Sequence, residues 1–258
     1  MSNKLIGIKN RIYSDYFMKD RFEEYEEMIK NFLDNGFMFA PIRDINSLDL
    51  ENNKYIFLRH DIDSEPKVAE KMFNIEQKYG ICTTYYFRLS TLDVNLARKM
   101  ISKGVEVGYH YEELAEYAKM NKIKDGGEIK KHIADIEKIF IDNTVNFEKQ
   151  VGFKMETVVS HGDWMNRTLG VTNKVIVTES IKNKLNLKFE AYEIANKLDF
   201  RLADRGYPQF WVPTRPEDVL KDKNMKIGLL LIHPRQWCSA PIDRFKQDFS
   251  RVYEAIRY

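Results

Sequence analysis

The stretch Arg59-His60-Asp61-Ile62-Asp63 sets two carboxylates, an imidazole and a guanidinium at the end of the apolar run from Lys54 to Leu58. Side chains of a strand alternate between its two faces, so Arg59, Asp61 and Asp63 share one of them. Two carboxylates side by side are costly unless a cation sits between them, either a metal ion or the arginine itself. Three further histidines stand in comparable places: His110 in GYHYE, His161 in SHGDW and His233 in LIHPRQW. Each falls at or just past the end of a run with strand character, whereas His132 lies inside a helical pattern.

Imidazole and carboxylate with an open position suit Zn²⁺ or a similar divalent ion holding water, and Asp63 with His110 and His161 offers such a set. Water held in this way is acidified toward neutral pH and becomes a nucleophile. Asp61 is then placed to receive its proton and His233 to give one to a leaving group. The alternative is an Arg59–Asp pair within a satisfied polar network and no metal. Trp164 lies three residues after His161 and Trp237 four after His233. Their aromatic faces suit sugar rings, although tryptophan also fills cores. Arg59, Arg88 and Arg235, near strand ends, would give a substrate phosphate or carboxylate a forked donor.

These residues need a scaffold that gathers strand ends. Apolar residues at helical spacing predict a helix from Ser14 to Leu33, others over Pro66–Tyr79 and Val94–Lys103, and one from about Glu128 to Phe147. Between them stand strand patterns at 82–89, 105–112, 157–163 and 175–180, with a helix over Phe189–Leu198. The most apolar strand, at 225–234, reads as buried on both faces, and Pro241–Ile256 reads as a closing amphipathic helix. Strands alternating with helices specify a parallel α/β arrangement, whose active site forms at the carboxyl ends of the strands.

The 258 residues are 43% hydrophobic, enough for a sizeable core, and 41 basic against 39 acidic side chains leave a net charge of +2. No basic block marks a nucleic-acid footprint, so no nucleic acid is expected as partner. The amino-terminal residues hold no apolar run of signal-peptide length, and the longest apolar run, Ile227 to Ile232, is too short to span a bilayer; a cytoplasmic location is expected. Cys82 and Cys238 lack metal-ligand spacing and read as reduced bystanders.

The motif order LRHDID, EVGYHYE, SHGDW, LADRGYPQFW, LLIHPRQW resembles the divergent polysaccharide deacetylases of the NodB-homology superfamily, carbohydrate esterase family four, especially a branch found with surface-polysaccharide genes. The resemblance implies an α/β fold: a distorted (β/α) barrel of about seven strands, one domain over 1–258, with an N-terminal helix at about 14–35 packed on it. It implies metal-dependent removal of an N-acyl group from an amino sugar or sugar-linked precursor, with a small-molecule or oligosaccharide substrate. Asp61 looks like its base, Asp63 its available ligand and His233 its catalytic acid, with Asp204 and Arg205 orienting acid or substrate. Substrate contacts are expected at Arg59, Trp164, Asp204, Arg235 and Trp237. Zn is the expected metal, with Co, Ni or Mn as alternatives. Leu114 stands where the second metal histidine is usual, with His161 in SHGDW expected to replace it from another strand, and Ile62 separates aspartates that are usually adjacent. A barrel that has lost its metal and binds sugars without cleaving them is the competing expectation.

Overall fold

A computed structural model describes residues 3–242, 244–246, 248 and 249. The strands are β1 (Phe37–Phe39), β2 (Lys54–Ile62), β3 (Thr84–Phe87), β4 (Glu106–Tyr111), β5 (Thr157–Ser160), β6 (Phe189–Glu190), β7 (Phe200–Asp204), β8 (Trp211–Val212) and β9 (Ile227–Ile232). The helices are α1 (Asn3–Tyr16), α2 (Phe22–Asp34), α3 (Pro66–Lys78), α4 (Val94–Ser102), α5 (Glu113–Met120), α6 (Gly126–Lys130), α7 (Ile133–Val151), α8 (Trp164–Leu169), α9 (Glu179–Leu185) and α10 (Pro216–Val219). None of the described helices is long and apolar enough to cross a membrane. Both cysteines are free.

All nine strands of the described residues join one sheet, in the order β6-β5-β4-β3-β2-β9-β7-β8 with β1 beside the start of β2, and every pairing is parallel except β7 with β8. This is the α/β architecture that the alternation of patterns specifies. Six neighbouring strands in a flat sheet would separate β6 from β9 by roughly 24 Å. Yet Phe57, Tyr86, Val159, Phe189 and Leu229, from β2, β3, β5, β6 and β9, belong to one buried cluster. The sheet must therefore curl around that cluster, as a barrel does.

Alternation sorts each strand between this interior and the helical layer outside. On β2, Tyr55 and Phe57 point inward while Ile56 and Leu58 pack outward with Tyr25, Ile29 and Phe32 of α2. On β4, Val107, Tyr109 and Tyr111 pack outward with Phe140 and Phe147 of α7. That leaves Arg59 and Asp61, and Glu106 and His110, on the inner face.

Four boundaries differ from expectation. The helix expected from about Glu128 to Phe147 is two, α6 and α7, divided at residues 131–132. The helix expected from Ser14 is two helices, α1 and α2, because the chain turns at residues 17–21, where the Arg21 amide donates to the Trp237 carbonyl at 2.8 Å. The stretch 175–180 holds no strand: a 3-10 turn, Asn173–Ile176, leads to Thr178, which caps α9. Phe189–Leu198 is the short β6 followed by a 3-10 helix, Ala191–Lys197, rather than an α-helix. The closing helix is present where described, at 241–242, 244–246 and 248–249; Val252 and Ile256 lie outside the described residues.

Candidate functional site

The last inward position of several strands meets at the carboxyl end of the sheet. Asp61 ends the inner row of β2 and Asp63 follows just beyond it, His110 ends that of β4, and His161 and His233 lie one residue past β5 and β9. His110 Nδ1 lies 3.1 Å from the Val159 carbonyl oxygen, an acceptor only, so Nδ1 carries the hydrogen and Nε2 presents a lone pair. That Nε2 stands 3.3 Å from Asp63 Oδ1 and 3.6 Å from Asp61 Oδ2. His161 Nε2 approaches the same Asp63 Oδ1 at 3.5 Å.

Asp63 Oδ1 is buried and accepts no hydrogen bond, an expensive state for a carboxylate oxygen unless a cation completes it. The ligand atoms of Asp63, His110 and His161 lie within 4.8 Å of one another. An edge of a tetrahedron with metal–ligand bonds of 2.0–2.2 Å spans roughly 3.3–3.6 Å, and the two contacts to Asp63 Oδ1 fall in that interval. The donor set therefore fits a divalent metal.

A supporting layer fixes these ligands. His161 Nδ1 lies 3.0 Å from Glu112 Oε2, at ion-pair distance. Arg88 grips Glu112 through Nε at 2.7 Å and Nη2 at 2.8 Å, and its Nη1 donates to the Asp63 backbone oxygen at 3.3 Å. Burial raises the Glu112 carboxyl, yet His161 and Arg88 together pull it down to about 2. A carboxylate behind a ligating imidazole sets the ring's orientation and raises its basicity.

Two ion pairs flank this cluster. Arg59 is fully buried and clasps Asp61, Nε to Oδ1 at 2.7 Å and Nη2 to Oδ2 at 2.6 Å. Burial raises the Asp61 carboxyl, but Arg59 and then His110 bring it below its ordinary value, so it stays ionised. Across the site, Asp204 lies 2.7 Å from His233 Nδ1 and accepts from the His233 amide at 2.7 Å and from Trp237 Nε1 at 2.9 Å. Burial disfavours the imidazolium, but Asp204, helped by Asp63 and Asp61, raises the His233 pKa to about 9.

A cleft of about 1710 Å³ opens over the cluster, lined in part by Asp63, Arg88, His161, Trp164 and Arg235. Trp164 is 38% exposed there, and Lys119 Nζ lies 5.7 Å from its ring centre. Of the expected substrate contacts, Trp164 and Arg235 line the cleft and three do not. Trp237 is fully buried against Tyr25 and Trp211, so it offers no face to a sugar and instead holds Asp204. Arg59 has no exposed surface, because Asp61 and the Tyr192 ring enclose it. Asp204 is buried and reaches His233 rather than the cleft. His60, on the outer face of β2, joins Tyr25 and Glu76 and stacks on Tyr85.

Sequence reasoning passed over Glu112 as a site residue and gave Arg88 only a generic role. The available signal was parity: Glu112 is two residues beyond His110 and Arg88 two beyond the inward Tyr86.

No family model and no curated protein matches the sequence. Among solved structures, IcaB from Ammonifex degensii shares 12% identity over 69% of this chain and 80% of its own, with a TM-score of 0.47. The peptidoglycan deacetylase PdaC from Bacillus subtilis shares 13% over 79% of this chain and 86% of its own, with a TM-score of 0.41. BA3943 from Bacillus anthracis, a CE4 family pseudoenzyme, shares 12% over 78% of this chain and 62% of its own, with a TM-score of 0.40. At TM-scores below 0.5 these likenesses transfer no activity to this chain.

Proposed function

We propose that this protein is a metal-dependent amidohydrolase that removes the acyl group from the nitrogen of an amino sugar. The observation that supports it most is the orphaned, buried Asp63 Oδ1 on which two imidazole Nε2 atoms converge. Asp63, His110 and His161 would hold the ion, zinc fitting the nitrogen-rich set and Co, Ni or Mn sharing its geometry. When bound, such an ion lowers the pKa of water and polarises a carbonyl.

The chain's own groups divide the proton work. Asp61, kept ionised by Arg59, accepts the proton of the attacking water. Attack forms the carbon–oxygen bond and moves the carbonyl electrons onto oxygen, and their return breaks the carbon–nitrogen bond. His233, already protonated at neutral pH, gives its Nε2 proton to the departing amine while Asp204 keeps the ring in place through Nδ1. The sugar assignment rests on the motif resemblance and on the exposed face of Trp164 in the cleft.

The test is metal content and acetate release from N-acetylated sugars for the wild type, Asp63→Ala and His110→Ala. Near-stoichiometric divalent metal in the wild type is expected, lost in both variants together with turnover, and chelation is expected to abolish release. A wild type that takes up no divalent metal overturns the reading. Sugar binding that survives chelation without turnover would instead favour a non-catalytic carbohydrate-binding protein.

A further inference from the structure

We infer that the substrate carries an anionic group, a phosphate or a carboxylate, close to the amide that is cleaved; this rests on the deacylase reading above. The cleft is lined by seven basic and five acidic side chains. The acids are largely committed. Asp63 belongs to the metal set, and Glu65 pairs with Arg244 Nη1 at 2.8 Å. Asp163 pairs with Lys119 at 2.7 Å and caps α8 at Met165, while Asp93 caps α4 at Leu96. Glu116 is exposed, and partial desolvation, then Glu112 and Glu113, raises its carboxyl above the ordinary value.

The basic side chains are not committed to the same degree. Lys67, Arg167 and Lys246 line the cleft, are exposed, and make no hydrogen bond or ion pair within the described residues. They come from three remote parts of the chain: the first turn of α3, α8 beside Trp164, and the closing helical segment. Convergence of such unspent cations on the cleft that holds the metal set creates a local positive field, which concentrates and orients an anionic ligand. Deacylation also leaves an ammonium, which the same field repels.

Calorimetric titration at low and at high salt tests this with N-acetylglucosamine, its 1-phosphate, and N-acetylmuramic acid, whose charge is a carboxylate. The anionic sugars are expected to bind roughly tenfold more tightly than N-acetylglucosamine at low salt, with the difference shrinking as salt rises. Lys67→Glu and Arg167→Glu should each weaken anionic ligands several-fold and leave the neutral sugar unchanged, with Lys67→Arg restoring wild-type binding. A preference for the phosphate marks a phosphorylated sugar as the source of the charge, and the reverse marks an acidic sugar. Equal binding of the three, indifference to both reversals, or no binding of either anionic sugar overturns the inference. Acetate release, followed in parallel, separates the two readings. Release without anion preference sinks this inference alone, and anion preference without release sinks the deacylase reading alone.

Discussion

Asp61 keeps its charge in a nearly dry setting because Arg59 takes hold of both of its oxygens. Breaking a buried pair from one side costs about 3–5 kcal/mol, since the remaining charge has no compensation. Arg59→Met is expected to lower unfolding stability by that amount in urea melts, and the double change Arg59→Met with Asp61→Leu to recover most of it without activity. His233 behaves in the opposite sense. Its folded pKa of about 9 lies above the ordinary 6.5, so the stability that its pairing adds is complete below about 6.5 and disappears as pH climbs through about 9. As the proton donor, it also sets the alkaline limb of kcat, which Asp204 holds above the pH of an ordinary imidazole. Asp204→Asn is expected to move the limb at least one unit toward lower pH, and an unmoved limb would remove His233 from the donor's role. The residue types of the site were legible because three histidines and two aspartates sit at strand ends, although His60, which shares that pattern, faces outward. Glu112 was harder to read: the pair Glu112-Glu113 looks like an acidic helix start, and parity with His110 alone separates Glu112, which faces His161, from Glu113, which goes to Tyr109 and Asn143.

The elements act through alternation, and β4 illustrates what alternation demands. Its inward row is Glu106, Gly108, His110, and the Tyr86 ring lies across the middle member. A Cβ at Gly108 would meet that ring at 2.5 Å and the Thr157 carbonyl oxygen at 2.8 Å. Tyr86 in turn bonds Thr157 at 2.6 Å, so the ring has no cheap place to go. Gly108→Ala is expected to cost about 1–3 kcal/mol by overpacking and to displace His110, read as a lower melting temperature together with reduced metal content. Strands with aromatic or unbroken apolar runs, such as β2, β3 and β9, were readable from the sequence alone. Val175 to Ser180 was misread because β-branched content marks any half-buried surface. Here Asn173 overrides it by bonding the Ala115 amide at 3.1 Å and the His161 carbonyl at 2.6 Å, which bends the backbone into a turn.

At the scale of the molecule, the first helix and the closing segment are drawn to the site by one guanidinium. Arg244 is 2% exposed, pairs with Glu65 and with Asp15 of α1 at 3.4 Å, and donates to the Arg235 carbonyl at 2.6 Å. It thus ties the loop that follows Asp63 to the loop that follows His233. Glu65 holds a left-handed backbone, φ +54°, which such an anchor can sustain. Arg244→Met is expected to cost on the order of 3 kcal/mol, lowering Tm by roughly 6–12 °C in a chain of this size. None of this was visible in the sequence, where Asp15, Glu65 and Arg244 are unremarkable charges far apart.

The place of β9 in the sheet bears on how the chain is made. It is the last strand of the described residues, yet it inserts between β2 and β7, and its register with β2 joins residues about 170 apart, such as Tyr55 with Ile227. Until residues 227–232 emerge from the ribosome, one edge of β2 has no partner, and β7, once made, has nothing to join it to the rest. The nascent protein therefore carries an open hydrophobic seam for most of its synthesis, and a chaperone that recognises exposed strand edges would find its target there until β9 emerges and closes it.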